Sequence, residues 1–100
     1  MDEIRKLFAK RDEAVRKNND LLFLGTKIDE IEGSSTEGYL SLQKLESKVL
    51  SIYPEDNSVL TKKVFVMETY HHKGKKARQG FLIYHLVNTV KGWKIFKIAY

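Results

Sequence analysis

Apolar side chains in the first seventeen residues recur at helical spacing. Ile4, Leu7, Phe8, Arg11, Ala14 and Val15 fall at i, i+3, i+4 and i+7 and so define one helix face. Arg5, Lys6, Lys10, Asp12, Glu13, Arg16 and Lys17 take much of the remaining surface. Asp2 and Glu3 suit the positive end of the helix dipole, and Asp2 is placed to cap it. Asn18-Asn19-Asp20 interrupts the pattern: Asn tolerates the left-handed conformation that ends helices, and Asp20 is placed to cap a second one. Leu21-Leu22-Phe23-Leu24 then reads as a brief helix that plugs one end of the core, loosened or ended by Gly25.

Residues 26–38 are polar and end in Gly33-Ser34-Ser35-Thr36-Glu37-Gly38, a loop. Beyond them the period changes to two. Leu40 and Leu42 alternate with Ser41 and Gln43, and Leu50 and Ile52 with Ser51 and Tyr53. This predicts one or two strands, stopped by Pro54-Glu55-Asp56-Asn57. Val59–His72 is a long strand pattern, turned back through Gly74 in Lys73–Lys76. Arg78–Val90 follows, then a tight turn at Lys91-Gly92 and a last strand over Trp93–Tyr100. Gly80, inside a strand, points to a bulge or sharp bend. Helices followed by an antiparallel meander predict one α+β domain over 1–100, with the helices packed on the sheet.

The strands do not alternate as a half-exposed sheet should. In the first long strand odd positions give Val59, Phe65 and Met67, and even positions Leu60, Val64, Val66 and Tyr70. In the second, Phe81, Ile83, His85 and Val87 oppose Leu82, Tyr84 and Leu86. The last places Trp93 and Ile95 on one side and Phe96, Ile98 and Tyr100 on the other. One long helix covers one face, and an antiparallel sheet with a solvated second face should be polar there. An apolar patch of that size is unusual on a monomer, so the pattern predicts a homodimer formed sheet to sheet.

Composition narrows the chemistry. At 100 residues, 42% hydrophobic and 31% charged, the chain suits a single folded domain. The absence of cysteine excludes disulfides, thiolate metal sites and a cysteine nucleophile. No apolar run approaches the roughly 20 residues of a membrane span, and Met1-Asp2-Glu3 is no signal peptide. The expected location is therefore cytoplasmic, or secreted if a leader has been removed, with no membrane partner. The net charge of +5 is uneven: residues 1–50 hold nine basic and ten acidic side chains, residues 51–100 nine basic and three acidic. The densest stretch, Lys73-Gly74-Lys75-Lys76-Ala77-Arg78, reads first as a solvated hairpin whose lysines protect sheet edges. Its alternative is a contact for nucleic acid or an anionic surface.

The long amphipathic helix, the short helix after an Asn/Asp break and the terminal meander together resemble the nuclear transport factor 2-like (cystatin-like) superfamily. The residues that carry the likeness are Ala14-Val15 through Asn19-Asp20-Leu21, Phe81-Leu82-Ile83-Tyr84 and Gly92-Trp93-Lys94-Ile95. The resemblance implies a cone-shaped half-barrel in which a strongly bent antiparallel sheet wraps the first helix, often around a pocket, with pairing through the sheet. Residues 26–38 lack the apolar periodicity of the third helix that many members carry, which implies a pocket that is shallower or open at one end.

The resemblance also implies where chemistry would sit. The superfamily's isomerases and dehydratases use a carboxylate or histidine base with Tyr or Asp donors inside an apolar cone. Glu68 and His85 are the candidate bases; Tyr39, Glu68, Tyr70, Tyr84 and Phe8 are the candidate ligand-binding residues, with Ile4, Phe8 and Val15 as the helix wall. Strand alternation puts Glu68 and Tyr70 on one face and separates Tyr84 from His85, so at most one of that pair joins them. The plainer readings are a surface or edge carboxylate for Glu68, a packed or interface histidine for His85, and core or rim tyrosines. His71-His72 point to opposite sides of a strand and cannot grip one ion together, so no metal is expected. There is no phosphate-cradling Gly-rich loop and no Gly-x-Ser-x-Gly, and no cofactor is expected. Aromatics beside basics at Tyr70-His71-His72-Lys73 and Trp93-Lys94 would suit a single-strand binder, but Phe81, Phe96 and Trp93 read as required for core or dimer burial. The expectation is a small homodimeric ligand-binding or accessory domain taking a small apolar ligand. An isomerase, cyclase or dehydratase is the alternative, and nucleic-acid or anionic-surface binding the third reading.

Overall fold

The computed structural model describes residues 3–27, 39, 41–54 and 60–99. Helix α1 (Glu3–Arg16) buries Ile4, Leu7, Phe8, Arg11, Ala14 and Val15, the face that the spacing predicts. Asn18 takes the left-handed conformation (φ 51°) and ends it. Helix α2 (Asp20–Leu24) is capped by Asn19, whose side-chain oxygen accepts from the Leu22 N–H at 3.1 Å. Asp20, the expected cap, is instead its first residue, because the extended backbone that a cap requires falls one position earlier (φ −103°, ψ 97°). Of α2 only Phe23 is buried, while Leu21 is 79% exposed, so the plug is one side chain deep.

The strands β1 (Lys44–Pro54), β2 (Thr61–His71), β3 (Arg78–Thr89) and β4 (Gly92–Ala99) form one antiparallel sheet in the order β1-β2-β3-β4. A single strand thus spans the 44–54 region. Leu42, expected within a strand, precedes it and buries its side chain among Ala14, Val15, Phe23 and Leu45. The expectations for Asp2, Leu40, Val59 and Tyr100 lie outside the described residues. The turns use Gly74 (φ 73°) and Gly92 (φ 102°), conformations that glycine adopts without strain.

Register shifts fall between Val49 and Ser51 and between His85 and Leu86. Bulges of this kind increase local twist and bend a sheet. Gly80 is not one of them: it pairs in register with Glu68. A Cβ at Gly80 would lie 3.1 Å from the Tyr70 hydroxyl oxygen and 3.2 Å from its ring, so glycine here makes room for Tyr70. The second shift also changes the facing of β4, because Phe96 is the extra residue. Trp93, Ile95 and Ile98 all pack on the core, and Phe96 turns outward to lie 6.0 Å from the His85 ring.

Two clusters make the core. Ile4, Leu7 and Phe8 meet Val64, Val66, Leu82, Leu86 and Ile95 at one end, and Ala14 and Val15 meet Phe23, Leu42 and Leu45 at the other. Each fully buried large apolar side chain stabilises by roughly 1.5–3 kcal/mol. Beyond α2 the chain runs alongside β4, where Ile95 N–H donates to Thr26 O at 2.9 Å and covers that sheet edge. The sheet face away from α1 carries Tyr53, Phe65, Met67, Phe81, Ile83 and Phe96, with Phe81 67% exposed. No helix among the described residues is long and apolar enough to cross a membrane.

Candidate functional site: a buried glutamate ringed by tyrosines

Between the two apolar clusters lies a polar centre. Glu68 sits mid-β2 on the concave face and is wholly buried. It is therefore not the surface or edge carboxylate of the plainer reading; α1 and Tyr39 cover its face of the strand. Its Oε1 accepts from the Tyr39 hydroxyl at 2.9 Å and the Tyr70 hydroxyl at 2.6 Å, and its Oε2 accepts a short hydrogen bond from Tyr84. Tyr39 and Tyr84 hydroxyls lie 3.4 Å apart, and Phe8 meets the Tyr84 ring edge-on at 5.0 Å. Tyr39, Glu68, Tyr70, Tyr84 and Phe8 thus converge on one spot. Tyr84 joins Glu68, and His85, pointing the other way, does not.

A sixth residue completes the centre, one to which sequence reasoning gives no chemistry. Arg11 projects from the apolar face of α1 and is wholly buried. It donates to Tyr84 Oη at 3.3 Å and to Thr26 Oγ1 at 3.4 Å, and Thr26 in turn donates to Phe23 O at 2.7 Å. Its guanidinium lies over the rings of Phe23, Tyr84 and Tyr39 at 4.5, 5.2 and 5.3 Å. Arg11 Nε has no hydrogen-bond partner. Tyr84 therefore stands between a buried cation and a buried anion, accepting from one and donating to the other. The signal available in the sequence was a charged residue at an apolar helix position.

The surroundings raise the tyrosine pKa values. Burial first, and then the charge of Glu68, push Tyr39 up to about 12. Tyr70 is raised by burial and by its hydrogen bond to Glu68, and Tyr84 by burial, with Arg11 opposing. All three thus stay protonated donors at ordinary pH. Next to Arg11, Asp12 turns to β1 and accepts from Ser47 N–H at 2.9 Å and Ser47 Oγ at 2.6 Å. Burial raises its pKa, and the two Ser47 hydrogen bonds work against that. Lys27, buried over the Phe23 ring at 4.8 Å, is lowered to about 8 by desolvation and then by Arg11.

A bent meander wrapping one long helix, with a polar centre held against that helix, is an arrangement found in solved proteins. An NTF-2 like protein of unknown function from Shewanella oneidensis MR-1 superposes with a TM-score of 0.78 over 96% of this chain and 93% of its own, at 12% identity. The fold is that of the nuclear transport factor 2-like proteins. A protein provisionally named an aromatic ring hydroxylase, from Novosphingobium aromaticivorans, has this fold too, with a TM-score of 0.66, 15% identity and coverage of 96% and 83%. A ketosteroid isomerase-like protein from Erwinia carotovora atroseptica has a TM-score of 0.63, 13% identity and coverage of 96% and 90%. No family model and no curated protein matches the sequence.

The remaining candidates lie away from Glu68. His85 is on the outer face, in an open groove of about 690 Å³ with Tyr53, Phe65, Phe96 and the lysines Lys63 and Lys97. His71 pairs with Glu46 at 2.6 Å on that same outer side, and no group of metal-ligating side chains occurs among the described residues. The basic hairpin Lys73–Arg78 is exposed, and its residues Lys75–Arg78 line a cleft of about 510 Å³ with His72.

Proposed function

We propose that this chain is a small binding or accessory domain that works as a homodimer through the outer sheet face. The observation that carries the reading is that face itself. Tyr53, Phe65, Met67, Phe81, Ile83 and Phe96 stand opposite α1 with no element of the described chain over them. Such patches mark interaction surfaces, and a second copy offers the same apolar face. On the concave side Glu68, Tyr84 and Phe8 are buried and mutually satisfied, so a small apolar ligand with one polar group would be read at the edge of this set, by half-buried Tyr39 and Tyr70. Binding is favoured over catalysis because both Glu68 oxygens already accept tyrosyl hydrogen bonds. A general base needs hydrogen-bond reach to a substrate proton. Light scattering after size exclusion at tens of micromolar should give twice the chain mass of 11.7 kDa; a clean monomer would overturn the homodimer.

A second reading has one observation in its favour. A wholly buried carboxylate ringed by hydroxyl donors is a setting in which catalytic acids and bases occur, and one structural neighbour is isomerase-like in name. In that reading Glu68 is the base and His85, across the sheet, takes no part. Glu68→Gln should then abolish turnover of a steroid-like or other cyclic ketone. No turnover by the unaltered chain removes this reading.

A further inference from the structure

The Glu68 network leaves unused a cleft of about 290 Å³ on the rim, between the two helices and the β3–β4 turn. Its floor is apolar: Leu7 from α1, Leu22 from α2 and half-buried Trp93 from β4. Beside it Leu21 stands 79% exposed. Its rim is basic, with Lys6 and Lys10 on successive turns of α1, Lys91 in the turn and Lys94 on β4. Glu3 is the one carboxylate lining it and is taken by Lys6 at 3.2 Å. Lys94 donates to the Gly25 carbonyl. Lys10 and Lys91 have no acidic partner among the described residues.

Four ammonium groups around an apolar floor leave two needs unmet. The like charges repel and attract an anion, and the exposed leucine and tryptophan surface favours an apolar body over water. We infer that this cleft binds a small amphipathic anion. Its carboxylate is held by Lys10 and Lys91, and its aryl or short alkyl body lies on Trp93 and Leu22. The cleft volume lies at the lower end of small-molecule sites, so a compact body fits it best. Charge complementarity selects the anion over its neutral and cationic analogues. Lys6 and Lys10 stand beside the α1 face that carries Leu7, Phe8 and Arg11, and no residue of the outer sheet face lines the cleft.

Trp93 is the single tryptophan of the chain, so its emission reports directly on the cleft. The probes are 4-phenylbutyrate, 4-phenylbutanol and 4-phenylbutylamine, alike in shape and different in charge. The acid should give a saturable change, the alcohol about tenfold weaker binding and the amine none, two exposed charge contacts accounting for a factor of that order. K10E/K91E should weaken the acid by at least about tenfold, again from those two contacts, while K75E/K76E at the distant hairpin leaves it unchanged. If the double variant does not fold, K91A in the exposed turn carries the same test with a smaller loss. Absence of saturation with the acid, equal binding of the alcohol, or an unaltered K10E/K91E affinity would each overturn the assignment. Binding of an acidic peptide in place of the acid would overturn it as well.

Discussion

Arg11 and Glu68 are both removed from solvent, and Tyr84 links them. Breaking such a set from one side leaves an uncompensated buried charge, which costs about 3–5 kcal/mol. Glu68→Leu and Arg11→Met should each destabilise by that order in urea unfolding, and the double variant by clearly less than their sum. Additive losses would mean that the two charges do not feel one another. A second expectation follows from the shifted groups. Lys27 falls from its ordinary 10.5 to about 8 in the native state, so between those values the unfolded chain holds more protons and stability rises with pH. Tyr39 rises from 10.0 to about 12, so above 10 the unfolded chain loses its proton first and stability falls. The urea midpoint should therefore climb from pH 8, peak near pH 10 and drop beyond, and Lys27→Met should remove the climb alone. Arg11 was visible in the sequence as a charge on an apolar face. Glu68 was not legible as buried, because strand alternation says which face a residue takes and not what covers that face.

Among the elements, both helices and the last three strands were legible because period and turn residues agree locally, whereas the start of the first strand was not: Leu42 continues the alternation but lies before it. Nor were the bends. Leu50 and Phe96, the extra residues of the two bulges, carry no compositional mark, whereas Gly80 looks like a backbone irregularity and is a packing device. Gly80→Ala should therefore cost about 1–3 kcal/mol through overpacking against Tyr70. Tyr70→Ala in the same chain should recover part of the loss, and thermal unfolding of the two variants checks it. A neutral Gly80→Ala would mean that the Tyr70 ring moves aside freely, at the expense of its hydrogen bond to Glu68.

For the whole molecule, the two-faced apolar pattern was the most informative feature of the sequence, and the fold shared with neighbours at 12–15% identity accounts for one of those faces. The other makes its own prediction: Phe81→Glu, which places a charge at the most exposed aromatic of the outer face, should turn a dimer into a well-folded monomer in light scattering. Unchanged mass would put the contact elsewhere. The chemistry of the concave centre was legible as a set of residue types and became a site only through long-range closure. Arg11 and Tyr84 are 73 positions apart in the chain, while every strand of the sheet pairs with its immediate successor. A nascent chain therefore makes α1 well before either the hydroxyl or the carboxylate that offsets its guanidinium exists. Docking the helix early would strand a cation in an unfinished interior, at a cost of several kcal/mol, so chains truncated before the third strand should leave the α1 amides open to hydrogen exchange. Protection of α1 in such a truncated chain would mean that the first half folds without waiting for the last.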